Sequence, residues 1–206
     1  MPDRARLTSL PDAALRYVPL AVEAGRARRW MESLEDQVSW QQEHLTLFGR
    51  RVCQPRLSAW FGDSGAVYCY SGIRLEPHPW TPLLSDIRDE MQELTGHQLN
   101  SVLLNWYRSG RDSMGWHSDD EPELGPEPVI ASLSLGATRR FQLRHRADRS
   151  SPLVQLDLEH GSLLCMAGPT QAHWRHRVPK TRRPVGGRIN LTFRRIRIET
   201  LEELVP

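Results

Sequence analysis

The chain is predicted to fold as one α+β domain that is mainly β, with most strands in its C-terminal half. Three observations predict this. After Gly96, the segments 101–108, 129–135, 140–145, 153–158, 162–166 and 188–196 alternate with period two and are separated by turn residues, the pattern of a double sheet or barrel. Fifteen prolines and fourteen glycines in 206 residues favour a loop-rich, strand-rich chain over a helical bundle. The clearest helical signal stands upstream of all six strand-like runs.

That helix starts at Thr81, a good N-cap followed by Pro82 at the first helical position. Leu83, Leu84, Ile87, Met91 and Leu94 form its apolar stripe, and Gly96 ends it. Earlier in the chain, residues 1–14 read as a polar, flexible tail. Leu15–Leu20 reads as a short strand and 21–38 as a helix. Leu45–Phe48 followed by Gly49 reads as a hairpin strand, and Ala66–Ile73 as an aromatic strand. Residues 15–206 are expected to form a single domain, with 15–100 as the helical and hairpin part and 101–198 as the β core.

Composition narrows the class. The longest early apolar run, Tyr17–Val22, is interrupted by Pro19 and is too short for a membrane span. Cys53, Cys69 and Cys165 are scattered without a CxxC pair, which indicates neither a disulfide framework nor a zinc ribbon. A cytoplasmic monomer is the expectation. The formal net charge is only +2, but it is unevenly spread: residues 1–135 carry −6 and residues 136–198 carry +11. A basic third of this kind suits an anionic partner.

The sharpest local motif is Gly115–Glu121. Alternation in an extended segment places His117, Asp119 and Glu121 on one face. His-x-Asp supplies one imidazole and one carboxylate, two ligands of a 2-His-1-carboxylate triad, whose open positions suit non-haem iron(II) and oxygen. A solvated loop is the plain alternative. The third ligand must lie downstream, among His145, His160, His173 and His176. His145 and His160 sit in turns and read as surface residues, and spacing alone does not separate His173 from His176.

Arg188–Arg194 is the second strong motif. Ile189, Leu191 and Phe193 share one face; Arg188, Asn190, Thr192 and Arg194 share the other. A buried row of donors with two guanidinium groups needs an anion or water to satisfy it, and the planar fork of arginine suits a carboxylate or phosphate. Asn105 and Tyr107 share a face of the strand before the His-x-Asp loop. Tyr68 and Tyr70 share another face, at a spacing that serves core packing or stacking on a planar base.

Several stretches occur in a set order. They are Phe48-Gly49-Arg50, Gly62–Gly65 leading to Tyr68-Cys69-Tyr70-Ser71-Gly72, Pro79–Pro82, Asn105–Tyr107 and His117–Glu121. Ser132–Gly136, Gly161-Ser162, Trp174–Pro179 and Arg188–Arg194 complete the series. In this order the chain resembles the AlkB family of iron(II)- and 2-oxoglutarate-dependent dioxygenases, above all its vertebrate nuclear DNA-repair branch, over roughly residues 45–197. The resemblance implies a double-stranded β-helix (jelly-roll) core with an N-terminal nucleotide-recognition extension. It implies iron held by His117, Asp119 and His176, with His173 excluded. It further implies 2-oxoglutarate clamped by Arg188, with Arg194, Asn105, Tyr107, Asn190 and Thr192 completing the pocket.

For the substrate, the resemblance implies a flipped base stacked between Tyr70 and His117, with Tyr68, Asp120 and Glu121 near its polar edge. Phe48, in Phe48-Gly49-Arg50, fills the gap left by that base, and Cys69 and Ser71 flank the stacking tyrosine. The implied reaction consumes O₂ and 2-oxoglutarate, gives succinate and CO₂, and removes an N-methyl group as formaldehyde. Cationic lesions such as 1-methyladenine and 3-methylcytosine pair poorly and cost less to flip. The basic third supplies phosphate contacts, with Arg56–Phe61 and the 145–151 turn as further surfaces that could touch DNA. Three alternatives stay open. They are the same chemistry on RNA, a free nucleotide or a protein side chain; a non-catalytic module that binds methylated nucleic acid; and a structural zinc site of Cys165, His173 and His176.

Overall fold

The computed structural model describes residues 6–47, 50–70 and 73–198. β1 (Arg6–Leu10) and β2 (Ala13–Val18) form a hairpin, followed by α1 (Ala24–Gln37). A second hairpin pairs β3 (His44–Leu47) with β4 (Arg50–Cys53). After β5 (Leu57–Gly62), a third pairs β6 (Tyr68–Tyr70) with β7 (Ile73–Leu75), and α2 (Pro82–Thr95) follows. Then come β8 (Ser101–Tyr107), β9 (Met114–His117), β10 (Ile130–Gly136), β11 (Arg139–His145), β12 (Val154–Leu158) and β13 (Ser162–Ala167). A single helical turn, α3 (Thr170–His173), leads into β14 (Trp174–Val178), and β15 (Arg188–Arg194) ends the series.

Two antiparallel sheets face each other. The larger has the order β1-β2-β13-β10-β15-β8-β5, and the smaller β12-β11-β14-β9. From β8 to β15 the chain crosses back and forth between them, so β8, β10, β13 and β15 line one wall and β9, β11, β12 and β14 the other. This is the double-stranded β-helix. All six strand-like runs downstream of Gly96 form strands within a residue or two of their expected bounds.

Alternation on the larger sheet divides the core in two. Val102, Leu104, Leu133, Leu135, Ile189, Leu191 and Phe193 face outward and pack against Ala27 and Leu34 of α1 and Leu84, Ile87 and Met91 of α2. Leu103, Tyr107, Ile130, Leu164 and Met166 face inward and pack with Phe141, Leu143, Trp174 and Val178 of the smaller sheet. Each strand therefore has an apolar back covered by helices and an inner face free to carry a site. α2 is built as its sequence signals: the Thr81 hydroxyl accepts the Leu84 amide at 3.2 Å, and Gly96 closes it at φ +75°. α1 starts three residues later than expected, because the Glu23 carboxylate caps it by accepting from the Gly25 and Arg26 amides.

The N-terminus is a correction. Residues 6–10 and 13–14 are not a loose tail: β1 pairs with β2, and β2 pairs with β13, Tyr17 opposite Leu164, extending the larger sheet. The local sequence is polar because this hairpin lies at a sheet edge. Its order depends on a strand about 150 residues away, which no local pattern reveals. Gly136 shows how tightly the core strands meet their connections. It sits at φ +92°, and a Cβ there would lie 2.5 Å from the Gly187 carbonyl oxygen. No helix among the described residues is long and apolar enough to cross a membrane.

Candidate functional site

The inner face of β15 is a continuous polar row, and its neighbours extend it in register. On one side Arg188 lies opposite Tyr107, Asn190 opposite Asn105 and Thr192 opposite Leu103. On the other side Asn190 faces Ser134 and Thr192 faces Ser132. All seven residues of β15 are buried, with one face in the core and the polar face lining an enclosed pocket. Arg188 Nη2 donates to Ser134 Oγ at 2.8 Å; the Asn190 amide donates to Ser132 Oγ and the Leu133 carbonyl, and accepts from the Thr192 hydroxyl.

Across the pocket, β14 pairs with β9 so that His176 lies directly opposite His117. Their ring centroids are 4.1 Å apart, and His176 also stacks on Phe141 at 5.3 Å. Asp119, two residues past the end of β9, reaches back between them, with Oδ2 3.7 Å from His176 Nε2. One ligand atom from each of His117, Asp119 and His176 lies within 4.8 Å of the others, a geometry able to hold a metal ion. His117 Nδ1 is 3.0 Å from the Gly115 carbonyl oxygen. A carbonyl only accepts, so Nδ1 carries the proton and Nε2 is the lone-pair nitrogen.

Electrostatics hold this cluster in the protonation state a metal requires. Burial disfavours the Asp119 anion, but Arg194, His176 and His117 outweigh it and hold the carboxyl at about 2. Arg194 Nη2 donates to Asp119 Oδ1 at 2.7 Å, and both side chains are fully enclosed. Burial, followed by the neighbouring His117, lowers His176 to about 3; burial is also the main cause that lowers His117. The set is thus one carboxylate and two neutral imidazoles at neutral pH.

Arg188, Asn190, Thr192, Arg194, Asn105 and Tyr107 line the same pocket as the His–Asp–His cluster, a space of about 450 Å³ including its open mouth. Two buried guanidinium groups lie against the Tyr107 ring, Arg188 at 5.3 Å and Arg139 at 5.6 Å from its centroid. Arg56 is a correction. It is buried, and its Nε donates to Asn105 Oδ1 at 2.7 Å, so it supports the pocket and is not a DNA-facing residue. That bond also orients the Asn105 amide, leaving its NH₂ group to donate elsewhere. The rest of the Arg56–Phe61 segment is largely buried in β5, which pairs with β8.

The other candidate histidines separate cleanly. His145 and His173 gather around Asp12 in the turn of the N-terminal hairpin, with His145 Nε2 3.6 Å from Asp12 Oδ2. The His145 side chain is only 8% exposed, which corrects its reading as a surface residue. His160 Nδ1 accepts the Gly136 amide at 2.8 Å and ties β10 to the turn before β13. Cys165 packs on the helix side of the larger sheet, and neither group of metal-capable side chains among the described residues contains a cysteine. The zinc alternative therefore has no geometry behind it.

Of the nucleotide-facing candidates, Phe48, Gly49 and Ser71 lie outside the described residues. Arg50 lies on β4 opposite Leu47; Tyr68, Cys69 and Tyr70 form β6, opposite Leu75, Arg74 and Ile73. Asp120 is exposed and accepts from Arg146 Nη1 at 2.6 Å, while Glu121 is half-buried beside it. Phe141 and Gln171 have no signal in the sequence, because an aromatic on a strand or a glutamine after a turn is ordinary anywhere.

A jelly roll with two histidines and an aspartate converging between its sheets, beside a row of buried arginines, defines a metal-dependent, anion-binding class of protein. The family model described as the 2OG-Fe(II) oxygenase superfamily matches residues 14–194, and the chain belongs to that superfamily, in its AlkB branch. The superfamily works with iron(II), 2-oxoglutarate and O₂. Human "Alpha-ketoglutarate-dependent dioxygenase alkB homolog 3" is 44% identical over 86% of this chain and 64% of its own length. Human "DNA oxidative demethylase ALKBH2" is 46% identical over 80% of this chain and 67% of its own, and the mouse protein of that name 42% over 84% and 75%. The chain thus spans just under two thirds of the alkB homolog 3 proteins it matches. The structure of OsALKBH1 shares the fold, with a TM-score of 0.62 at 18% identity, covering 92% of this chain and 100% of that one.

Proposed function

We propose that this protein is an oxidative demethylase that repairs N-alkylated bases of the 1-methyladenine and 3-methylcytosine type in DNA, releasing formaldehyde, succinate and CO₂. Iron(II) with 2-oxoglutarate and O₂ supplies the oxidising power. The observation that carries the reading is Arg188. It is fully buried in the same pocket as the His–Asp–His cluster, and its Nε and Nη1 have no hydrogen-bond partner. Burial pushes this guanidinium down to about 10, against the pull of Tyr107 beside it. A pocket so built asks for a small anion, and the carboxylate of a dicarboxylic acid matches the open fork.

In this reading His117, Asp119 and His176 hold the metal. Arg188 takes the distal carboxylate, while Arg194, Asn105, Tyr107, Asn190 and Thr192 orient the remainder of the co-substrate. Leu103, Met114, Phe141 and Val178 line the same space and limit water. Tyr70 and His117 stack on the target base, with Tyr68, Cys69, Ser71, Asp120 and Glu121 around its edge. The +11 stretch draws in the phosphate backbone. Residues 6–198 act as one catalytic domain, since the β1–β2 hairpin belongs to the larger sheet, with the β3–β4 and β6–β7 hairpins as the nucleotide-recognition lid. The free thiols Cys53 and Cys165 suit a reducing compartment, and the protein is read as a cytoplasmic monomer. The human and mouse relatives named DNA oxidative demethylase support the choice of DNA.

The test is a panel of methylated oligonucleotides, single- and double-stranded, DNA and RNA, incubated with iron(II) and 2-oxoglutarate, with the base products measured by mass. Loss of one methyl group from DNA, abolished in His117→Ala, is the expected result. Turnover that needs no iron, or that survives His117→Ala, refutes the reading, and a strong preference for the RNA strands replaces DNA by RNA. Phe48 is proposed as the wedge that holds open a duplex. Phe48→Ala should therefore lose more activity on methylated duplex than on single strands; equal losses would withdraw that role.

A further inference from the structure

The loop that carries Asp119 is fastened to the segment that carries His176. Ser118 Oγ donates to the Trp174 carbonyl at 3.0 Å, and the Asp119 peptide N–H donates to Gln171 Oε1 at 2.9 Å. Arg146 Nη1, which holds Asp120, also reaches the Gln171 carbonyl at 3.5 Å. Gln171 lies on α3, the single turn that feeds directly into β14. Its side chain is 1% exposed, and its Nε2 lies 3.7 Å from Met166 Sδ. It is not among the residues that line the pocket.

The consequence follows from covalent geometry. The Asp119 carboxylate is drawn toward both Arg194 and His176, and nothing in those attractions sets how far the loop leans in. The peptide nitrogen of Asp119 is joined to the carboxyl carbon through three bonds of fixed length, with χ1 and χ2 the only rotors between the main chain and the two oxygens. Pinning the N–H therefore sets where Cα stands and limits the rotamers from which the oxygens reach Arg194 and His176. The pin comes from a residue five positions before His176, on the same rigid turn and strand. One segment thus supplies one member of the cluster and aligns another.

We infer that Gln171 is a positioning residue for the metal centre: its amide oxygen holds the Asp119 main chain so that the carboxylate is pre-set toward His117 and His176. This rests on the reading of those three side chains as the metal ligands. Partners of this kind around metal ligands typically change affinity by about 10- to 100-fold when removed.

Manganese(II) binding, followed by electron paramagnetic resonance on the full chain, tests it. Gln171→Met keeps the length of the side chain without an acceptor. Gln171→Glu keeps an oxygen at the same reach that accepts from the Asp119 N–H in either protonation state. The methionine variant should bind manganese about tenfold or more weakly, and the glutamate variant within about threefold of wild type. A methionine variant within about twofold of wild type, while His117→Ala loses binding, overturns the role of Gln171 and leaves the metal centre standing. Equal losses in both Gln171 variants would assign the effect to packing and also overturn it. Wild-type protein that binds no better than His117→Ala overturns the metal centre and this inference together. Should the methionine variant fail to fold, amide hydrogen exchange in the wild type decides: a protected Asp119 amide supports the pin, and exchange as fast as in an exposed loop refutes it.

Discussion

Replacing Arg188 with methionine is expected to abolish 2-oxoglutarate binding while leaving the unliganded protein at least as stable as wild type. The two halves of this result have one cause. Without a ligand, Arg188 is a fully buried cation that donates to Ser134 and lies against the Tyr107 ring, with two nitrogens unpartnered. Enclosing a charge on those terms is costly, and a hydrophobic residue of similar volume is often neutral or stabilising in its place. Methionine can follow the same path past Tyr107 and satisfy itself by packing. With a dicarboxylate present, the same side chain becomes half of a buried, charge-assisted pair. Losing one partner of such a pair costs about 3–5 kcal/mol, a factor of about 100 or more in Kd. Thermal denaturation with and without 2-oxoglutarate measures both. A ligand-induced rise in Tm as large as that of wild type would remove Arg188 from the pocket.

Asp119→Ala should behave in the opposite way, losing stability and activity together even when no metal is present. Asp119 is enclosed with Arg194, which donates to it at 2.7 Å, and removing the carboxylate takes the counter-charge from a buried guanidinium. Breaking a pair of this kind costs about 3–5 kcal/mol. Asp119→Asn should lose less stability, because its amide oxygen still accepts from Arg194, yet lose activity as completely because the anionic ligand is gone. Denaturant titration of the metal-free variants separates the two. An alanine variant as stable as wild type would show that the pair contributes nothing to the fold. The pH dependence has a definite sign. The folded Asp119 carboxyl sits at about 2, below its unfolded value, so its contribution is fully present above about 4 and is lost as the pH falls through about 2.

Much of the fold was legible because its signals are local. The α2 helix carries its own cap, proline, apolar stripe and terminating glycine, and it forms as they indicate. The two faces of β15 are written in strict alternation, and both are buried as that alternation requires. β9 and β14, the strands beside the His–Asp–His cluster, left weaker traces. Each is short, and Trp116 and Arg177 on them are an aromatic and a charged residue in contact, with the Arg177 guanidinium 4.4 Å from the Trp116 ring. The β1–β2 hairpin was illegible for a related reason: it is ordered by its pairing with β13.

The sequence by itself determined the class of chemistry: a His-x-Asp pair, a strand with two arginines on one face, and a basic C-terminal third. Residue spacing left the third histidine open and the family resemblance pointed to His176; the tertiary structure supplies the geometry behind that choice. His173 and His176 are three residues apart and indistinguishable by spacing, yet the β14–β9 register sets His176 opposite His117, while His173 lies beside Asp12. The physical reason is the range of the interactions. Alternation and capping act within a few residues, whereas register is set by the packing of both faces of two sheets, and it is register that brings residues 117, 119, 176 and 188 to one pocket.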